Sequence, residues 1–298
     1  MSTSRHPVAL SLERIVGGDA RLLALVMMLP LIDGVFPALI LAGALNDPLG
    51  AIQVGLLIFG GSATVAVILA EMTGTPREQA AIVLLVGIPL ILLAAVQAAL
   101  APAIGSLVND VIITRFAALV ILAIAAKTAS ATIGEYLPNP MLIIGLGLVA
   151  SFDPSGARLV VMDDPALVAN ATLAAGIGVL FALAVAVGAP YLREWMDIDR
   201  FRFGSAVALG LLPLSMLGMA FGQAPLAALI VAAVFAIDLP LERGSSGSSD
   251  DGPAGIDPVA DGGDEEPGLE VEPVEETEES GPYPGDDSTN TEGRAPWL

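Results

Sequence analysis

Residues 22–45 read LLALVMMLPLIDGVFPALILAGAL, twenty-four residues carrying one charge, Asp33, near their centre. About 20 apolar residues in a helix span the hydrocarbon core of a bilayer, and a helix satisfies its own backbone there. The stretch is long enough to cross. It exceeds the apolar core of a signal peptide, so it is expected to persist as a first helix. On insertion scales an Asp at its centre costs about 2.5–3.5 kcal/mol.

The pattern recurs along the chain. Further apolar stretches at 51–70, 80–104, 115–134, 141–162, 169–191, 204–222 and 225–238 make eight expected spans, the last one short. Hydrophobic residues make up 55% of the 298 and charged ones only 15%, too apolar a balance for a soluble domain of this size. The expected fold is an all-α membrane protein of about eight transmembrane helices. Two more charges sit inside apolar stretches: Lys127 in FAALVILAIAAKTASATIG and Asp153 in MLIIGLGLVASFDPSGARLVVM.

Charge divides the chain. The net charge is −20, and fifteen of those negative charges belong to residues 239–298. That tail is rich in Gly, Ser, Pro, Asp and Glu and cannot bury enough apolar surface to offset chain entropy, so disorder is expected. The organisation is an arm at 1–21, a helical domain at 22–241 and an acidic tail at 242–298. Arg5, Arg14, Arg21, Arg77, Arg193, Arg200, Arg202 and Arg243 fall in one set of loops and flanks; Asp47, Asp110, Asp163 and Asp164 fall in the other. The positive-inside rule then puts the N-terminus in the cytoplasm; eight spans return the tail to the same side, and seven would leave it outside.

The first three spans resemble the next three at an offset of roughly 92 residues. Arg21-Leu22 aligns with Arg115-Phe116, which sets Asp33 opposite Lys127. Asn46-Asp47-Pro48 meets Pro138-Asn139-Pro140, Phe59-Gly60-Gly61-Ser62 meets Phe152-Asp153-Pro154-Ser155, and Ala101-Pro102 meets Ala189-Pro190. A unit of three spans re-enters from the opposite side, the inverted-repeat layout of many secondary transporters, with a site near the midplane lined by interrupted helices.

Candidate residues follow. Pro30, Gly34 and Pro37 should kink the helix around Asp33. Pro154 interrupts the fifth span beside Asp153, Ser155 and Arg158, and Ser130 follows Lys127 by three residues. Asp33, Lys127, Asp153, Ser130, Ser155 and Arg158 are the expected ion or substrate site, suited to a monovalent cation or small solute, since intramembrane charges are functional by default. The alternative is structural: an Asp33–Lys127 ion pair, and Asp153 paired with Arg158 across the break. Arg115 and Arg158 are expected to snorkel to headgroups, Gln97 to bond across helices, Gly218 and Gly222 to serve helix packing, and Tyr191 and Trp195 to anchor at the interface.

Several classes are excluded. Without cysteine there are no disulfides or thiolate metal sites. His6 is the only histidine, and no phosphate-binding loop or catalytic triad is present. No enzymatic activity, metal or cofactor is expected, and a net charge of −20 opposes nucleic-acid binding. The expected partner is the lipid bilayer of the cell membrane.

The segments LPLIDGVFPALILAGAL and VASFDPSGARLVVMDDP, the acidic tail and the single lysine resemble an integral membrane protein family of haloarchaea that has no assigned activity. The resemblance covers roughly residues 1–240 and implies membrane location. The three-plus-three layout is also similar in architecture to the lysine-exporter and tellurium-resistance-type exporters. Two functions are carried forward: a small secondary transporter or exporter coupled to Na⁺ or H⁺, and a non-transporting scaffold that displays the tail.

Overall fold

Proline and Asx residues set where the helices begin. In the computed structural model, which describes residues 17–158 and 161–237, Pro48, Pro76, Pro140 and Pro165 each open a helix. Asp47, Thr75, Asn139 and Asp164 stand just before them and accept a backbone N–H with their side chains. A proline at the first helical position loses no hydrogen bond, and the cap satisfies one of the orphan donors. The N-terminal arm through residue 16, the tail, Arg243 and the end of the eighth stretch lie outside the described residues.

The chain runs as α1 (Gly18–Ile32) and α2 (Val35–Leu41), separated by a break, then α3 (Pro48–Val54) continuing as a π-helical turn (Gly55–Phe59). After Gly60–Gly61 come α4 (Ser62–Ala66) and a second π-helical turn (Val67–Glu71). Then follow α5 (Pro76–Gly105), α6 (Asp110–Ala129), α7 (Ala131–Tyr136), α8 (Pro140–Ser151), α9 (Pro165–Trp195), α10 (Ile198–Met216) and α11 (Ala224–Ala236).

Four segments are long and apolar enough to cross a membrane: Gly18–Leu41, α5, α6 and α9. A fifth is the pair Pro48–Phe59 and Ser62–Glu71, which bends by 47° at the glycines. Helices α8 and α11 are apolar but shorter. The expected span at 141–162 is thereby corrected, because its helix stops at Ser151. Pro154 disfavours helical geometry at the residue before it, and Asp153 turns its side chain onto the Ser155 N–H at 3.0 Å. The fourth expected span ends at Ala129 rather than 134, where Ser130 takes extended geometry and caps α7.

Packing is inverted relative to a water-soluble protein. The buried face of α9 is mostly small, Ala171, Ala174, Ala175, Gly178, Ala182, Ala186 and Ala189 beside Asn170, Val179 and Val185, whereas Leu180 and Val187 face outward at 61% and 59% exposure. On α5 the exposed residues include Ile88, Leu92 and Val96. Lipid removes the drive to bury large apolar side chains, so small residues take the helix–helix contacts and let backbones approach. In water such a surface would be a very large apolar patch; in a bilayer it is ordinary.

The two ends of the bundle are chemically distinct. At one, Asp19 accepts from the Thr73 N–H and hydroxyl, and the Asp197 N–H donates to the Ala236 carbonyl. At the other, the Asn109 N–H donates to the Ser151 carbonyl, Asp153 N–H to Leu107, and Met162 N–H to Ala99.

Candidate functional site

The first apolar stretch is broken where the sequence places its charge. Asp33 closes α1, and Gly34 follows at φ +86°, a left-handed conformation that glycine adopts without a Cβ penalty. Asp33 Oδ1 accepts the Val35 N–H at 3.1 Å. That N–H would otherwise have bonded the Leu31 carbonyl one turn back. Leu31 O is taken instead by the Gln97 side-chain amide of α5, at 3.0 Å. The expected cross-helix role of Gln97 is therefore seen, and it falls on the broken turn. The Gln97 carbonyl oxygen is buried and has no partner among the described residues.

A second break faces the first. Beyond Gly60–Gly61 the Thr64 hydroxyl returns 2.7 Å to the Phe59 carbonyl, healing one of the acceptors freed at the bend. The rings of Phe36 and Phe59, both fully buried, lie 5.1 Å apart at 54° and join the two interrupted helices just beside their breaks. Two discontinuous helices thus meet inside the apolar body, and a partly buried carboxylate belongs to one of them. Among the described residues Asp33 forms no ion pair; the bridges seen are Arg200–Asp197 at 3.0 Å and Arg202–Asp199 at 4.0 Å, both within α10's first turns and its cap.

The remaining expected site residues stand elsewhere, so the single midplane cluster is corrected. Lys127 lies in the last turn of α6, beside Gly134 of α7. Asp153 is fully exposed and level with Leu107, before the start of α6. About 26 Å of continuous helix separates Asp110 from Lys127. Asp33 falls between these levels, because Gly34 packs on Ile144 of α8, and Gly147, one turn on, packs on Phe116 of α6.

Each displaced residue has a local task. Ser130 caps α7, accepting from Ile133 N–H at 3.4 Å. The Ser155 hydroxyl and N–H both bond the Asp153 carboxylate, which holds that group below the usual Asp range. The Arg158 backbone N–H and carbonyl bracket the Ser106 hydroxyl at 3.0 and 3.1 Å. Neither structural ion pair, Asp33–Lys127 or Asp153–Arg158, is formed.

One residue's role escaped the sequence reading. Arg193, one of the arginines that set the expected orientation, sends its guanidinium to the carbonyls of Leu69 at 2.8 Å, Ile68 at 3.1 Å and Met72 at 2.7 Å. It caps the C-terminal end of the second, broken segment from a different helix. At the opposite end Asn170 of α9 donates to the Leu45 carbonyl at 2.8 Å. The signal was available in part: an Asn inside an apolar helix needs a partner, and carbonyls at helix ends are the common unsatisfied acceptors.

Residues 90–217 match the model of a family of unknown function (DUF5794). No curated protein and no solved structure matches the chain. The matched segment runs from the middle of α5 to the end of α10 and so includes Gln97 but not Asp33.

Proposed function

We propose that the chain is a small secondary transporter of the cell membrane, coupled to a monovalent cation, with Asp33 at its centre. The observation that carries this reading is the carboxylate at a helix break inside an apolar segment, unpaired by any cationic side chain among the described residues and opposed by a second interrupted helix. Keeping an acidic group there is costly unless it works, and discontinuous helices are where transporters put their sites.

The reading takes eight crossings. The bent pair counts as one, α10 as another, and α8 and α11 as short ones. An inverted repeat is supported by matched elements. Pro48–Phe59 and Pro140–Ser151 are both twelve-residue segments that follow an Asx cap, and both end at a break. The 30-residue α5 and the 31-residue α9 come next, each opening on proline. These two pack against each other in antiparallel fashion, with Met162 ahead of α9 bonded to Ala99 near the end of α5. Arg21, Arg77, Arg193, Arg200 and Arg202 would mark the cytoplasmic end.

Flux tests the function. Full-length protein in liposomes is given a Na⁺ or H⁺ gradient and a mixture of amino acids and organic anions, and the lumen is assayed by mass spectrometry. Wild type should accumulate or expel at least one solute, and Asp33→Asn should lose most of that flux. Protein that moves nothing under either gradient would leave the scaffold reading standing and remove this one.

A further inference from the structure

We infer that the coupling ion is a proton, held as an acid–amide pair between Asp33 and the Gln97 side chain. The inference rests on the reading of Asp33 as the transport centre but is measured without transport.

The geometry begins with Gln97. Its Nε2 is committed to the Leu31 carbonyl at 3.0 Å, which fixes the amide on the broken turn. Its Oε1 is left as a buried acceptor without a donor. A buried acceptor left unpaired is costly, because it has given up water without gaining a donor. Leu31 precedes Asp33 by two residues, about 3 Å along the helix axis. Asp33 uses Oδ1 to accept from Val35. Its other oxygen becomes a donor when the acid is protonated, and an O–H is what the Gln97 oxygen lacks. Addition of one proton to the carboxylate removes a charge from an apolar region and satisfies a stranded acceptor in the same step. Loss of that proton restores both defects and favours a rearrangement of the break.

The surroundings favour a proton over a metal cation. Hard cations gather about six oxygens. At the two breaks the carbonyls of Leu29, Leu31, Gly34 and Phe59 are already engaged by Asp33 N–H, Gln97, Ala38 N–H and Thr64, while the Asp33 carbonyl, opposite Pro37, lacks its helical donor but is a single oxygen, too few for such a shell. The charged groups on the elements packed around the break stand at helix ends: Asp19 and Arg21 on α1, Glu71 after α4, Arg77 and Glu78 on α5, Asp110, Arg115 and Lys127 on α6. Segment α8 carries none. A proton can neutralise Asp33 where no side-chain cation reaches it.

Infrared spectroscopy of the full chain in lipid reads this directly. A protonated carboxylic acid gives a C=O stretch apart from carboxylate bands. The wild type should show one near neutral pH that vanishes in Asp33→Asn, a variant that keeps the acceptor for Val35 N–H. Gln97→Leu should shift that band and weaken proton binding about tenfold, the value of one hydrogen bond of about 1.4 kcal/mol. If Gln97→Leu does not fold, the wild-type titration and Asp33→Asn decide alone. No Asp33 band near neutral pH would overturn the inference, as would a band that disappears when NaCl is added at constant pH. Absent solute flux with the band intact would overturn the transporter reading and leave the proton site.

Discussion

Replacing Gly178 with alanine tests how tightly the second interrupted segment is held against α9. A Cβ at Gly178 would overlap the Phe59 Cβ and lie 3.1 Å from the Gly55 carbonyl oxygen. Carbon contacts settle near 3.5–4.0 Å, so the two backbones must part by about 1 Å. Phe59 cannot yield easily, since it is fully buried and its ring rests on Phe36. Overpacking of this kind costs about 1–3 kcal/mol. Gly176, two residues earlier on the same helix, is the control, because nothing lies within 4 Å of a Cβ there. Alanine at 176 removes a poor helix former and is neutral or stabilising by up to about 1 kcal/mol. The difference between the variants isolates the clash, at about 2 kcal/mol. Unfolding by SDS in mixed micelles, followed by tryptophan fluorescence, measures it. Equal stabilities within about 0.5 kcal/mol would refute the close crossing.

Other consequences can be checked alongside. Arg193→Ala should destabilise the protein by about 2–4 kcal/mol, since three charge-assisted bonds to backbone carbonyls are lost at a partly wetted site, and Arg193→Lys should recover only part because an ammonium lacks the fork. Reporter fusions placed after Asp110 and after Asp197 should report opposite sides of the membrane; the same side for both would break the alternation of α6 and α9. Asn170→Leu should cost about 1–2 kcal/mol in the same SDS assay by leaving the Leu45 carbonyl bare, and no change would show that water replaces the amide. Lys127→Gln should leave stability and flux nearly unchanged, because Lys127 ends α6 away from the Asp33 break.

Membrane character and the broken first helix were legible, and the reason is local. Pro30, Asp33, Gly34 and Pro37 are four helix-disturbing residues within about two turns of an otherwise apolar stretch; the second break, at Gly60–Gly61, lies inside a stretch expected to be one continuous span. The common depth of Asp33, Lys127 and Asp153 was not legible. It assumed that residues 141–162 form one helix, whereas the Asp153–Ser155 turn ends the segment at the surface and takes the charge with it. Hydropathy does not see this, because Leu159, Val160 and Val161 keep the average high beyond the break. The carbonyl contacts of Arg193 were not legible for a different reason: its partners are 121 to 125 residues away, which no local pattern encodes.

A transport centre at Asp33 must be reached from water during the cycle, and cysteine accessibility tests this most directly. The chain has no native cysteine, so a single introduced thiol reports one position. Cysteine in place of Asp33 is compared with cysteine at exposed Asp153 and at fully buried Leu39. A membrane-impermeant maleimide reacts only with a thiolate in water. The account predicts labelling at position 33 well above position 39. Labelling at 33 as slow as at 39 from both sides would contradict it.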